Sequence, residues 1–142
     1  MTNVFVLYFQ LGDGDILLVS EAGEVTQPWR RDKRLLGVET TSLCIPDSWS
    51  DVRIGFHPAS YHSLALMLLS TDGYANSFRE EGGFLRVGRD ILEIIQSDGI
   101  QKVEQSLESW LEEASQFGSG DDITLGVLYR RSENRTFRSA GR

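Results

Sequence analysis

The chain has 142 residues, 40% of them hydrophobic and 10% aromatic, which is enough for one domain with a sizeable core and too little for two ordinary ones. Lys and Arg number 14 against 21 Asp and Glu, and Arg130, Arg131, Arg135, Arg138 and Arg142 all fall in the last 13 residues, so residues 1–129 carry 9 basic and 20 acidic side chains, a balance of -11. Such a body repels nucleic acid and anionic membrane and attracts cations, while the single cysteine, Cys44, excludes an intrachain disulfide and fits a cytoplasmic setting.

In chain order, the β-branched and aromatic run from Val4 to Phe9 reads as a strand, too short and too interrupted by Gln10 for a membrane span or a signal core. The Gly12-Asp13-Gly14 turn and the run Ile16–Val19 follow, which together predict a hairpin or a bulged pair over the first twenty residues. Glu21–Glu24 reads as the next turn. From Thr26 to Pro58 the prolines, two tryptophans and the basic cluster Arg30, Arg31, Lys33 and Arg34 predict a loop-rich stretch, with short strands near 41–45 and 52–56. The nearly continuous apolar run from Ser63 to Ser70 fits a strand buried on both faces, with Asp72 emerging at its end.

Phe84 to Gln96 carries apolar residues at helical spacing, and Ser97-Asp98-Gly99 closes it as a capping turn. Ile100, Val103, Leu107, Trp110, Leu111 and Ala114 form the apolar stripe of a second helix, and Ile123–Tyr129 reads as a closing strand. The expected fold class is therefore α+β, with two helices over a mainly antiparallel sheet. Residues 1–129 form the expected domain, and the basic tail 130–142 is expected to be disordered.

Three aspartate motifs each touch a predicted strand: Gly12-Asp13-Gly14-Asp15, Ser70-Thr71-Asp72-Gly73 and Gly118-Ser119-Gly120-Asp121-Asp122-Ile123-Thr124. Strand ends hold carboxylates in place and glycine lets the backbone turn sharply, a pattern suited to hard cations such as Mg²⁺ and Mn²⁺ that prefer oxygen ligands. Alone, Asp13-Gly14 reads as ordinary turn chemistry, while the adjacent Asp121 and Asp122 repel each other and call for a cation or solvent, with a solvated loop as the rival reading. Asp72 is the strongest, because a carboxylate directly after a buried run needs a cation, a hydrogen-bond cage or solvent. Ser97-Asp98-Gly99 matches the Asp72 string but ends a helix and is assigned to capping. His57 and His62 have no partner at zinc-ligand spacing, and Leu17 breaks the calcium-loop pattern that Asp13-x-Asp15 begins.

In this order the motifs resemble those of the protein phosphatase 2C family, the metal-dependent PPM-type Ser/Thr phosphatases, over residues 4–129. Gln10–Asp15 resembles that family's Gly-Asp-Ser/Gly strand-turn, Leu68–Asn76 its apolar-Ser-x-Asp-Gly-x-x-Asn/Asp motif, and Gly120–Thr124 its closing Asp-Asn-hydrophobic-Thr motif. The resemblance implies part of a layered β-sandwich flanked by helices in α-β-β-α order, with Mn²⁺ or Mg²⁺ in a cleft at one end. It implies Asp72 and Asp121 as carboxylates of the core metals, Asp13 as an outer carboxylate and Asn76 as a support for that outer site. Asp122 stands where the family has Asn, so either of the paired aspartates could face the metal.

The implied activity is hydrolysis of a phosphoprotein by a metal-activated water. The family's upstream half, with its bridging Asp-Gly motif, phosphate-contacting Arg and catalytic His, precedes the Gly-Asp-Gly motif, and here only eleven residues precede Gly12. The chain therefore reads as a C-terminal portion of such a domain. It is expected to self-associate or to pair with a missing N-terminal half. The competing expectation is a non-catalytic, pseudophosphatase-like interaction module.

Overall fold

A computed structural model describes residues 5–29, 43–44, 46–58 and 64–131. The basic cluster Arg30–Arg34, His62, most of the predicted strand near 41–45 and most of the predicted tail lie outside the described residues. Six strands run β1 (Phe5–Gln10), β2 (Asp15–Ser20), β3 (Val25–Thr26), β4 (Arg53–Pro58), β5 (Leu64–Ser70) and β6 (Leu125–Tyr129). Three α-helices among the described residues, α1 (Asp72–Asn76), α2 (Glu81–Asp98) and α3 (Ile100–Ala114), lie between β5 and β6, with a π-helical turn at Ser115–Ser119 after α3. Among the described residues the strands form two antiparallel sheets, one ordered β3-β2-β5-β6 and one made of β1 and β4.

The central strands carry the layering in their sequence. Leu17 and Val19 of β2, with Leu66 and Leu68 of β5, pack against Phe84, Ile91, Leu92 and Ile95 of α2 and Val103 of α3. The intervening residues Ile16, Leu18 and Met67 point the other way, onto Val6 and Tyr8 of the two-stranded sheet. This alternation makes both faces of β2 and β5 buried, which is why they read as continuous apolar runs. Burial of Leu66 (0% exposed) or Leu68 (2%) removes a full leucine side chain from water, worth about 2 kcal/mol each.

The expected hairpin between the first two strands does not form. β1 pairs with β4 from Phe5↔Pro58 to Gln10↔Arg53, while β2 pairs with β3 and β5. Gly12, at φ 87°, takes the chain through a sharp turn that carries it from one sheet to the other instead of folding it back on itself. The helix pair is as expected, and Gly99 (φ 88°) separates α2 from α3.

The outer face of the two-stranded sheet is different in kind. Phe5, Leu7 and Phe9 of β1 and Ile54 and Phe56 of β4 are 36–63% exposed, and all project from the same side. No described element covers them. Two strands alone form a marginal sheet, so this face is a contiguous apolar surface of the sort that marks an interaction site.

Candidate functional site

The turn after β1, the end of β5 and the start of β6 meet at one end of the layered sheets. There a cavity of about 300 Å³ is lined by Asp13, Gly14, Leu69, Ser70, Thr71, Asp72 and Thr124. The first two aspartate motifs thus bring their carboxylates to the same space from different strands, and the third contributes Thr124. Gly14 has a local reason: a Cβ there would stand 2.8 Å from the Ser70 carbonyl oxygen, so a side chain would push the Asp13 turn off the end of β5. The Gln10 side-chain amide donates to the Gly14 carbonyl and holds the turn from the other side.

The third motif is stapled to the second. Thr71 N–H donates to the Thr124 carbonyl (3.1 Å), Thr124 N–H donates to Thr71 Oγ1 (3.0 Å), and Thr71 Oγ1 donates to the Asp122 carbonyl (3.3 Å). Ser115 Oγ donates to the Asp121 carbonyl (2.8 Å), and Asp121 N–H donates to Ser119 Oγ (3.2 Å). Gly73 then allows the closest approach, because a Cβ on it would lie 2.9 Å from the Asp122 carbonyl oxygen and 3.2 Å from Asp121 Cβ. The Asp121 side chain therefore rests on the first turn of α1, whose first residue is Asp72.

Each expected site residue has a definite place. Asp13 is exposed and Asp72 half-buried, both on the cavity. Asn76 is exposed one turn along α1, and its side-chain amide donates to Asp72 Oδ2 (3.2 Å), so it orients that carboxylate. Asp121 and Asp122 are exposed, and Asp121 Oδ1 accepts from the Asp122 N–H (2.8 Å) while Gly73 packs on the Asp121 side chain. Asp98 is the last residue of α2, where its carboxylate accepts from Ser97 Oγ (2.6 Å), and Gly99 caps the helix through its N–H to the Ile95 carbonyl.

Sequence reasoning gave no role to Ser70, Thr71, Thr124 or Asp15. The first three line the cavity, and the two threonines make the staple; their signal was their place inside the motif strings themselves. Asp15 is only 4% exposed and accepts from the Gln27 side-chain amide (2.7 Å), beside Ser70 in the β2–β5 register.

The donor chemistry is that of a hard cation: carboxylates and hydroxyls, with no sulfur or imidazole on the cavity. Ser70 Oγ is a buried oxygen with no hydrogen-bond partner among the described residues, which a water or cation would relieve. The donor count is low, since the described residues bring no three Asp, Glu, His or Cys side chains together in metal-binding geometry. The fit is therefore to part of an oxygen-donor site.

A family model described as protein phosphatase 2C matches residues 1–112, which takes in the first two motifs and stops before Asp121. A search of curated proteins found no matching sequence. The fold is similar to that of a solved bacterial serine phosphatase, with 11% identity and a TM-score of 0.60 over 94% of this chain and 56% of that one. A solved variant of a bacterial serine phosphatase gives 15% identity and a TM-score of 0.55 over 91% of this chain and 49% of that one. The chain spans about half the length of the solved structures it matches.

Proposed function

Because the chain belongs to the protein phosphatase 2C family, we propose that it acts in a metal-dependent protein serine/threonine phosphatase, with Asp13, Asp72 and Asp121 contributing to the site. The observation that carries this reading is the meeting of separate aspartate motifs at one cavity. Asp13 and Asp72 line it, and the Asp121 loop is stapled to the residue before Asp72.

A divalent cation, Mn²⁺ or Mg²⁺, would when bound supply Lewis acidity toward a phosphoryl oxygen and lower the pKa of a water nucleophile. The chain's own contribution is to hold carboxylates. Asn76 fixes the Asp72 carboxylate, and Thr71 and Thr124 fix the Asp121 loop relative to α1. A full metal site would need donors beyond those that the described residues bring together. The proposed substrate is a phosphoprotein, and the proposed setting is the cytoplasm, in keeping with a lone cysteine and with the absence, among the described residues, of any helix long and apolar enough to cross a membrane.

The exposed apolar face of β1 and β4 supports self-association, or pairing with a polypeptide that completes the domain. That face and the low donor count also favour a second reading, a non-catalytic pseudophosphatase-like module that binds a partner. Mn²⁺-dependent hydrolysis of para-nitrophenyl phosphate by the full chain, beside Asp72→Asn, separates the two. Turnover abolished by Asp72→Asn supports catalysis; Mn²⁺ binding without turnover favours the module; turnover that survives Asp72→Asn would overturn the proposed site.

A further inference from the structure

The loop that carries Asp121 leaves α3 through the π-helical turn Ser115–Ser119 and ends at Gly120 in the left-handed region (φ 71°), whose N–H donates to the Ser115 carbonyl (2.9 Å). A π-turn closes over one more residue than an α-turn, which swings its last residues off the helix axis. Here they swing onto the end of α1. A Cβ on Gly118 would stand 2.5 Å from Ser77 Cβ and 2.9 Å from the Ser77 carbonyl oxygen, so the turn presses its backbone against the residue that caps α1. Gly73 makes the matching approach to Asp121 and Asp122 at the other end of the same helix. Gly73 and Ser77 are one helical turn apart, so both contacts fall on one side of α1.

A chain of hydroxyls joins these contacts. Ser77 Oγ donates to the Gly73 carbonyl (2.8 Å), stands 3.1 Å from Ser119 Oγ and accepts from the Ser119 N–H (3.3 Å). Ser119 Oγ accepts in turn from the Asp121 N–H (3.2 Å). A hydroxyl has one proton, and that of Ser77 is on the Gly73 carbonyl, so the Ser119 hydroxyl donates across the 3.1 Å gap. The bonds then run in one direction, from Asp121 through Ser119 and Ser77 to Gly73. Hydrogen bonds aligned in this way polarise one another, and losing one weakens the rest. Both serines are half-buried, and neither lines the cavity.

The helix they grip is a weak one. α1 has 5 residues and no side-chain bond at its N-cap, well short of the length at which a helix persists alone. Its first residue is Asp72 and its last is Asn76, whose amide orients the Asp72 carboxylate. The direction in which Asp72 points is therefore set by what holds α1 from outside.

We propose that Ser77 and Ser119 are positioning residues, which lock α1 to the Asp121 loop and so fix the spacing of the Asp72 and Asp121 carboxylates for a divalent cation. This rests on the phosphatase reading and deepens it by naming two side chains off the cavity on which the geometry of the site depends. The Thr71–Thr124 staple holds the start of α1, and the serine relay holds its end. With either one alone, α1 can pivot about the remaining contact.

The test is calorimetric titration of the full chain with Mn²⁺, as wild type, Ser77→Ala, Ser119→Ala, the double variant and Ser119→Thr, each with its urea midpoint. Ser97→Ala is the control, because Ser97 Oγ also donates to a helix carbonyl, that of Glu93 (3.0 Å), but on α2 and away from the cavity. Each alanine weakens Mn²⁺ binding about tenfold, the effect typical of removing an outer support of a metal ligand, and Ser97→Ala leaves it unchanged. The double variant binds no more weakly than the worse single one, because both changes break the same chain. Ser119→Thr keeps the hydroxyl and restores wild-type binding. Urea midpoints that fall alike in Ser77→Ala and Ser97→Ala with no change in Mn²⁺ affinity overturn the proposal, as do single effects that multiply in the double variant. Asp72→Asn keeps the two failures apart. Mn²⁺ binding that depends on Asp72 but not on the serines sinks this assignment alone, whereas binding that is absent or indifferent to Asp72 sinks the metal site and the positioning role with it.

Discussion

Replacing Gly73 by alanine perturbs the closest approach in the site. The added Cβ would stand 2.9 Å from the Asp122 carbonyl oxygen and 3.2 Å from Asp121 Cβ. Carbon and oxygen do not settle that close, and the neighbour is backbone held by the Thr71–Thr124 staple, so the loop has to move by several tenths of an ångström as a unit. Overpacking of this kind costs about 1–3 kcal/mol. Gly82 is the internal control: it lies inside α2 with nothing within 4 Å of its would-be Cβ, so Gly82→Ala relieves backbone entropy and stabilises by about 0.5–1 kcal/mol. Urea denaturation of both variants measures the difference directly. A Gly73→Ala chain within about 0.5 kcal/mol of wild type would refute the claim that Gly73 sets the Asp72–Asp121 approach.

Burial, with the nearby Asp90 charge adding to it, pushes the Tyr74 hydroxyl up to about 12 from 10.0, so the unfolded chain releases this proton first as pH rises. Stability from this group is full below pH 10 and is lost between about 10 and 12, by up to about 3 kcal/mol, and Tyr74→Phe should remove that part of the alkaline decline in a series of urea melts. Thr71→Val removes both hydroxyl bonds of the staple and should cost about 1 kcal/mol by the same assay; a neutral result would show that the backbone bond to Thr124 suffices. The double variant Leu7→Glu/Phe56→Glu, on paired positions of the exposed face, should dissolve self-association seen by sedimentation velocity, and a wild-type chain that sediments as a monomer at all concentrations would count against that face as an interface of this chain with itself.

Much of the layering was legible because burial imposes itself on composition. β5 announced itself as an apolar run without polar alternation, and α2 and α3 through helical spacing, with Gly99 marking the boundary. The partner of β1 was not legible. A short Gly-Asp-Gly link reads as a hairpin turn by local chemistry, and only the need of Ile16 and Leu18 to face Val6 and Tyr8 across the layers puts β1 and β2 in different sheets. The aspartates could be singled out by type and context, but their convergence depends on Gly14 and Gly73 as points of close approach and on Thr71 as a bridge, all of which are tertiary contacts.

The most direct measurement is Mn²⁺ binding to the full chain by isothermal titration, compared with Asp72→Asn and with Asp98→Asn. Asp98 shares the Asp-Gly pair with Asp72 but ends α2, away from the cavity. The account predicts binding that weakens at least about tenfold in Asp72→Asn and stays unchanged in Asp98→Asn. Binding that is absent, or that falls equally in both variants, would contradict a metal site built on Asp72.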